Sequence, residues 1–183
     1  MKRCDWAKSG DELMRAYHDT EWGVPSHEDR HLFEMLTLEG AQAGLSWKII
    51  LDKRQGYKKA FDNFNAKKIA KYSKVKIAAL LKNPKIVRNR LKVGSVVTNA
   101  VAFLEIQKEF GSFDKYIWQF TGGKAKNNKL KSMKQLPAST PESDNMSKDL
   151  KKRGFRFVGS TICYSFMQAT GMVNDHILTC DFK

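Results

Sequence analysis

Two sets of side chains in this 183-residue chain are of types that ligate metals. Cys4 and His18 lie near its beginning, His176 and Cys180 near its end. His176 and Cys180 are four apart, the spacing at which helical side chains share a face and can clasp one ion. Two thiolates and two imidazoles fill a tetrahedral zinc site with no open position, so such a site is structural. The pairs are separated by most of the chain. Spacing therefore leaves the plainer reading open, in which each is an ordinary core or surface residue. The second set is His27, Glu28, Asp29, Arg30 and His31, which matches the H-E-x-x-H pattern of zinc peptidases. That pattern needs an apolar helix around it, whereas here it falls on a polar helix start, and a solvated first turn is the better reading. Three cysteines make no disulfide framework. Cys163, within the apolar ICYSFM, reads as a buried small side chain.

A third group is aromatic. The first 47 residues hold Trp6, Tyr17, Trp22 and Trp47, with Glu39 among them. Aromatic residues at helical spacing belong to cores more often than to sites, so types alone indicate burial here.

The elements that must position these groups read as helices. In DRHLFEMLTLEG the residues Leu32, Phe33, Met35, Leu36 and Leu38 recur at three- and four-residue spacings and predict one apolar helix face. Ser26 and Asp29 form a predicted capping box for that helix. Further starts are predicted at Asn65, Ser73, Pro84 and Ser143 or Asp144, and stops at Gly111, Gly154 and Gly171. No alternating run is long enough for a sheet, and 122–144 reads as a loop. The expectation is all-α: a single domain over 1–183 forming an irregular helical globule.

Net charge is +14, and it is uneven. Residues 1–47 carry 5 basic and 9 acidic groups (−4), 48–98 carry 15 and 2 (+13), and 99–183 carry 13 and 8 (+5). A block of that density points to a polyanion, most simply nucleic acid. No apolar run reaches the roughly 20 residues of a membrane span, and the start lacks a signal-peptide core, so the expected location is cytoplasmic, without a membrane partner.

The segments RAYHDTEWGVP, LFEMLTLEGAQAGLSWKIIL and KKRGFRFVGSTICYSFMQATGMVNDH, in this order, resemble the type I 3-methyladenine DNA glycosylases of bacteria over nearly the whole chain. The resemblance implies a helix-hairpin-helix fold with one structural zinc ion joining the chain ends through Cys4, His18, His176 and Cys180. It places the hairpin in LLKNPKIVRNRLKV, between helices ending near Lys82 and beginning near Ile86. Pro84, Lys85, Arg88, Arg90 and Lys92 are then the expected DNA contacts, with the Asn83–Lys85 amides turned to a phosphate. The same resemblance implies hydrolysis of the glycosidic bond of 3-methyladenine in alkylated duplex DNA, after the nucleotide is rotated out of the stack. Tyr17, Trp47, Trp6, Trp22 and Ser165 become pocket residues, and Glu39 becomes the catalytic-site carboxylate, which when ionised can accept a hydrogen bond from the base and acts mainly in specificity. Gly44 and Leu45 are suited to entering the gap left by the flipped base. Glu105 and Glu109, late in a long helix, read as solvated. The expected enzyme is a monofunctional monomer that releases free 3-methyladenine. A DNA-binding module without catalysis would share the charge and hairpin but would not need Glu39 among aromatics.

Overall fold

The computed structural model describes residues 1–8 and 11–183. Its architecture is mostly helical. The helices are α1 (Asp5–Lys8), α2 (Glu12–Thr20), α3 (Asp29–Gln42), α4 (Trp47–Ala60), α5 (Ala66–Ile69), α6 (Lys74–Lys82), α7 (Arg90–Phe110), α8 (Phe113–Ile117), α9 (Pro141–Lys152) and α10 (Ser160–Ala169). No described helix is long and apolar enough to cross a membrane.

Helix α3 is the centre of the molecule. The five predicted apolar residues are buried, but so are Thr37, Glu39, Gly40 and Ala41, so the helix is buried all round rather than on one face. The reason is its setting among α4, α7, α8 and α10, which leave no solvent side over its second half. The predicted Ser26–Asp29 capping box does not form: Glu28 is the N-cap, without a side-chain bond. Asp29 instead accepts from the backbone N–H groups of Phe113 and Asp114 and from the Gln107 side chain, so it caps α8 across the core. Asn65 and Ser73 cap α5 and α6 as expected, each accepting from the N–H three residues on. Helix α9 begins earlier than predicted. Thr140 is its cap, Pro141 its first residue, and Ser143 completes a reciprocal capping box. Gly111 ends α7 in the left-handed region, as predicted.

The connection between α6 and α7 runs longer than expected. Asn89 caps α7 through the Lys92 N–H, so the second helix starts at Arg90 rather than near Ile86, and Pro84 sits in a turn, not at a first helical position. This connection rests on α4. Lys53 donates to the Pro84 carbonyl at 2.8 Å, and the Val87 N–H donates to the Tyr57 hydroxyl at 3.2 Å. Between them, Gly56 lets the backbones meet, because a Cβ there would overlap the Lys85 carbonyl.

The long loop after α8 is tied down by the one feature not anticipated as sheet. Lys126–Asn127 (β1) pairs in parallel with Val173–Asn174 (β2), and the Leu178 N–H donates to the Leu130 carbonyl at 2.8 Å. The C-terminal segment is thereby fastened to the loop, and both reach the functional site.

Candidate active site and metal centre

Helix α2 directs adjacent residues to two places: His18 to a cluster formed where both ends of the chain meet, and Tyr17 to a cavity. Cys4, His18, His176 and Cys180 are all buried, and their ligand atoms lie within 4.8 Å of one another. Cys4 Sγ is 3.7 Å from His176 Nδ1, which is 3.3 Å from Cys180 Sγ, which in turn is 3.7 Å from His18 Nε2. His176 and Cys180 are not on a helix, contrary to the spacing argument. They flank a turn in which the Cys180 N–H bonds the Ile177 carbonyl, and this turn makes the approach that a helical face was expected to make.

The far nitrogen of each imidazole is engaged. His18 Nδ1–H donates to Asp19 at 2.7 Å, and the Arg3 guanidinium grips Asp19 in turn. His176 Nε2–H donates to the Trp22 carbonyl at 2.9 Å. Each bond selects the tautomer whose other nitrogen carries a lone pair toward the cluster, which is how metal-ligating histidines are oriented, although His18 Nε2 here also accepts from the Cys4 N–H at 3.3 Å. The four residues thus make a group able to hold a metal ion.

His27 and His31 do not assemble this way. His27 stacks on Trp118 and bonds Asp114, while His31 lies beside Glu34 in the first turn of α3. Glu105 is exposed and Glu109 pairs with Arg153, both away from the cavity.

That cavity, of about 240 Å³, is lined by Trp6, Tyr17, Trp22, Glu39, Trp47 and Ser165, all six residues expected there. Five more residues line it: Met14, Gln42, Met133, Leu136 and Gln168. Three of these stand three positions from an expected one (Met14 and Tyr17, Gln42 and Glu39, Gln168 and Ser165), and helical spacing was the signal that could have found them. Met133 and Leu136 come from the loop that β1 and β2 tie down, and periodicity carries no trace of them.

The walls are aromatic. Trp6 and Trp22 meet edge to face at 5.2 Å, and Tyr17 and Trp47 are 5.3 Å apart. The Cys/His cluster stands directly behind the first pair, with Trp6 5.1 Å from the His18 ring and Trp22 4.7 Å from that of His176. On the opposite side, Arg54 of α4 donates to Glu34 of α3 and to Glu21 at the end of α2. One guanidinium thus joins the three helices that carry Tyr17, Glu39 and Trp47.

Two buried polar atoms among the described residues lack any partner: Glu39 Oε2 and Trp47 Nε1. Both belong to the cavity. Glu39 is 3% exposed, and burial pushes its carboxyl up to about 8, which favours the protonated form at neutral pH. Tyr17 is held well above its ordinary value by the same burial, with the Glu39 charge adding to it.

Of the remaining expected residues, Gly44 and Leu45 lie at an exposed turn between α3 and α4, and Pro84, Lys85, Arg88 and Arg90 are exposed on the α6–α7 connection. Lys92 differs, since its Nζ turns inward to the carbonyls of Ala41 and Ala43. The Asn83–Lys85 amides are also unavailable: Asn83 N–H bonds Leu80, Pro84 has none, and Lys85 N–H bonds the Asn83 side chain. Among the described residues, no acceptor meets the N–H groups of Arg90 and Leu91 in the first turn of α7.

The helical fold agrees with that of solved relatives. The chain belongs to the methyladenine glycosylase family, whose model matches residues 6–183. It is 44% identical to DNA-3-methyladenine glycosylase 1 of Escherichia coli (strain K12), over 98% of this chain and 96% of that protein. Its fold matches a crystal structure of 3-methyladenine DNA glycosylase I with a TM-score of 0.96, at 48% identity over 98% of both chains. A Staphylococcus aureus 3-methyladenine DNA glycosylase I, solved for the structural basis of 3-methyladenine recognition, also matches at 0.96, with 34% identity over 100% of this chain and 97% of that one.

Proposed function

We propose that this protein is a DNA-3-methyladenine glycosylase of base-excision repair, which flips the damaged nucleotide, hydrolyses its glycosidic bond and leaves an abasic site. The observation that carries this reading is the pair of partnerless buried atoms, Glu39 Oε2 and Trp47 Nε1, in an aromatic cavity. Native proteins rarely leave such groups unpaired unless something binds there. A purine bearing hydrogen-bonding edges and a flat π-face supplies what is missing.

Charge explains the choice of purine. Methylation at N3 makes the base cationic. At pH 7, ionising a carboxyl with a value of about 8 costs about 1.4 kcal/mol. A unit positive charge about 4 Å away contributes about 4 kcal/mol at an effective dielectric of 20. The cationic base therefore ionises Glu39 on entry and neutral adenine does not, so the pocket binds charge only when charge is brought to it. The walls formed by Trp6, Trp22 and Trp47 add stacking that favours a cation. The leaving base is already activated, so positioning at the sugar does most of the work and no lysine nucleophile is required.

The metal is zinc in this reading. Tetrahedral Zn–S and Zn–N bonds of about 2.3 and 2.0 Å set S···N edges of about 3.5 Å, which the 3.3 and 3.7 Å separations match. Bound there, zinc supplies a cross-link between the chain ends and no chemistry. The α6–α7 connection acts as a helix-hairpin-helix element, with a phosphate held by the free amides of Arg90 and Leu91, the positive end of the α7 dipole, and Arg88 and Arg90. Leu45 enters the vacated stack.

Methylated duplex DNA offered to the protein should yield free 3-methyladenine, at least tenfold faster than 7-methylguanine or hypoxanthine, and Glu39→Gln should lower that rate at least tenfold. Comparable release of all three bases would refute the pocket argument. Borohydride trapping on abasic DNA at the level of a lyase control would refute the monofunctional mechanism.

A further inference from the structure

Lys92 belongs to the basic run that ends the α6–α7 connection, yet its side chain leaves that surface. Its ammonium donates to the Ala41 carbonyl at 2.8 Å and the Ala43 carbonyl at 2.5 Å. These carbonyls lie at the C-terminal end of α3, where acceptors lack intrahelical partners and the helix dipole is negative. One precedes a tight turn and the other lies within it. Ala43 at φ −42, ψ 115 and Gly44 at φ +75 are the central residues of a type II turn, closed by the Leu45 N–H on the Gln42 carbonyl at 2.6 Å. Leu45, 37% exposed, is the side chain this turn presents, and Gln42 at its start lines the pocket. An ammonium committed to two carbonyls must release both to reach a phosphate. Partial burial also lowers its proton affinity, as expected of a cation drawn away from water.

We propose that Lys92 is a positioning residue for the Leu45 turn, not a phosphate contact: it binds the carbonyl end of α3 to the first turn of α7 and so fixes Leu45 relative to the phosphate-gripping helix N-terminus. Backbone docking and entry of Leu45 into the stack then occur as one rigid movement. The inference rests on the base-excision reading above.

The test compares wild type, Lys92→Met, Arg88→Met, Leu45→Ala and the Lys92→Met/Leu45→Ala double variant. Binding to a duplex with a reduced abasic site is measured across NaCl concentrations, with 2-aminopurine beside the site reporting unstacking and release of 3-methyladenine followed in parallel. A lost phosphate contact lowers the log–log salt slope by about 0.9, which is the result expected for Arg88→Met. Lys92→Met should keep the wild-type slope, weaken the 2-aminopurine signal and slow base release by about 10- to 100-fold, with little further loss in the double variant. A slope reduced by about 0.9 in Lys92→Met, with losses that multiply in the double variant, overturns the proposal. So does loss of free 3-methyladenine binding, read by tryptophan fluorescence, since that marks general damage to the pocket. Failure of the wild type to release base or bind the abasic site removes the underlying reading, and this proposal with it.

Discussion

The Cys/His cluster and the pocket lie ring against ring, and they treat polar atoms in opposite ways. Around the cluster, each imidazole has its far nitrogen bonded, and Asp19, which orients His18, is itself held by Arg3. In the pocket, a carboxyl oxygen and an indole N–H are buried with nothing to bond. A fully partnered polar network rigidifies, whereas an unpartnered one costs stability that only a ligand returns. The contrast separates a part of the molecule that holds shape from a part that waits for a substrate. Trp6 and Trp22 join them, with one side of each against the histidines and the other on the cavity.

Disturbing the cluster has the largest expected effect. Chelation, or His18→Ala, should lower the melting temperature by 10 °C or more, from a loss of at least about 3 kcal/mol. Pocket binding should fall with it, because the Trp6 and Trp22 walls lose their backing. A calorimetric scan with and without chelator, followed by zinc readdition, measures this. An unchanged melting temperature would remove the structural role of the cluster.

Disturbing the pocket should do the reverse and stabilise the free protein. Glu39 has its value raised by burial, so the native state holds a proton that the unfolded chain gives up above about pH 4.5. Stability from this group is full below that pH and is lost as pH rises through about 8. Glu39→Gln removes the loss. The variant should match wild type at pH 4, exceed it by a few kcal/mol at most at pH 9, and still release base poorly. Urea unfolding across that range checks the sign, and a variant less stable than wild type at pH 9 would contradict it.

The smallest effect belongs to the loop wall. Leu136→Ala should weaken binding of free 3-methyladenine by a few fold and leave the melting temperature within about 2 °C, because Leu136 is only partly buried. A larger thermal shift would mean that the loop belongs with the cluster in holding shape.

The candidate site was legible to the extent that its residues lie in recognisable segments. Trp6, Tyr17, Trp22, Glu39, Trp47 and Ser165 all reach the cavity, and the four ligands meet. What spacing misjudged has a common cause, since a short pattern does not know its tertiary competitors. Asp29 was free to cap its own helix until α8 arrived with two N–H groups. The His176–Cys180 spacing suits a helix, but pairing of β2 with β1 holds the preceding residues extended, and a turn brings the thiol round instead. Lys92 reads as one more cation in a basic run. Only the nearness of the α3 carbonyls shows where its charge is used. Met133 and Leu136 depend on a loop whose course is decided by the far end of the chain.

The meeting of Gly56 with Lys85 has a metrical consequence. Trp47 opens α4 and Gly56 lies nine residues along it, so the pocket wall and the backbone seat of the α6–α7 connection are separated by about 13 Å of stiff helix. That is about the length of four nucleotide steps at roughly 3.4 Å each along one strand. In the proposed reading, helix α4 is thus a caliper with one jaw at the flipped base and the other beneath the connection proposed to hold a phosphate, and the absence of a side chain at Gly56 sets its zero.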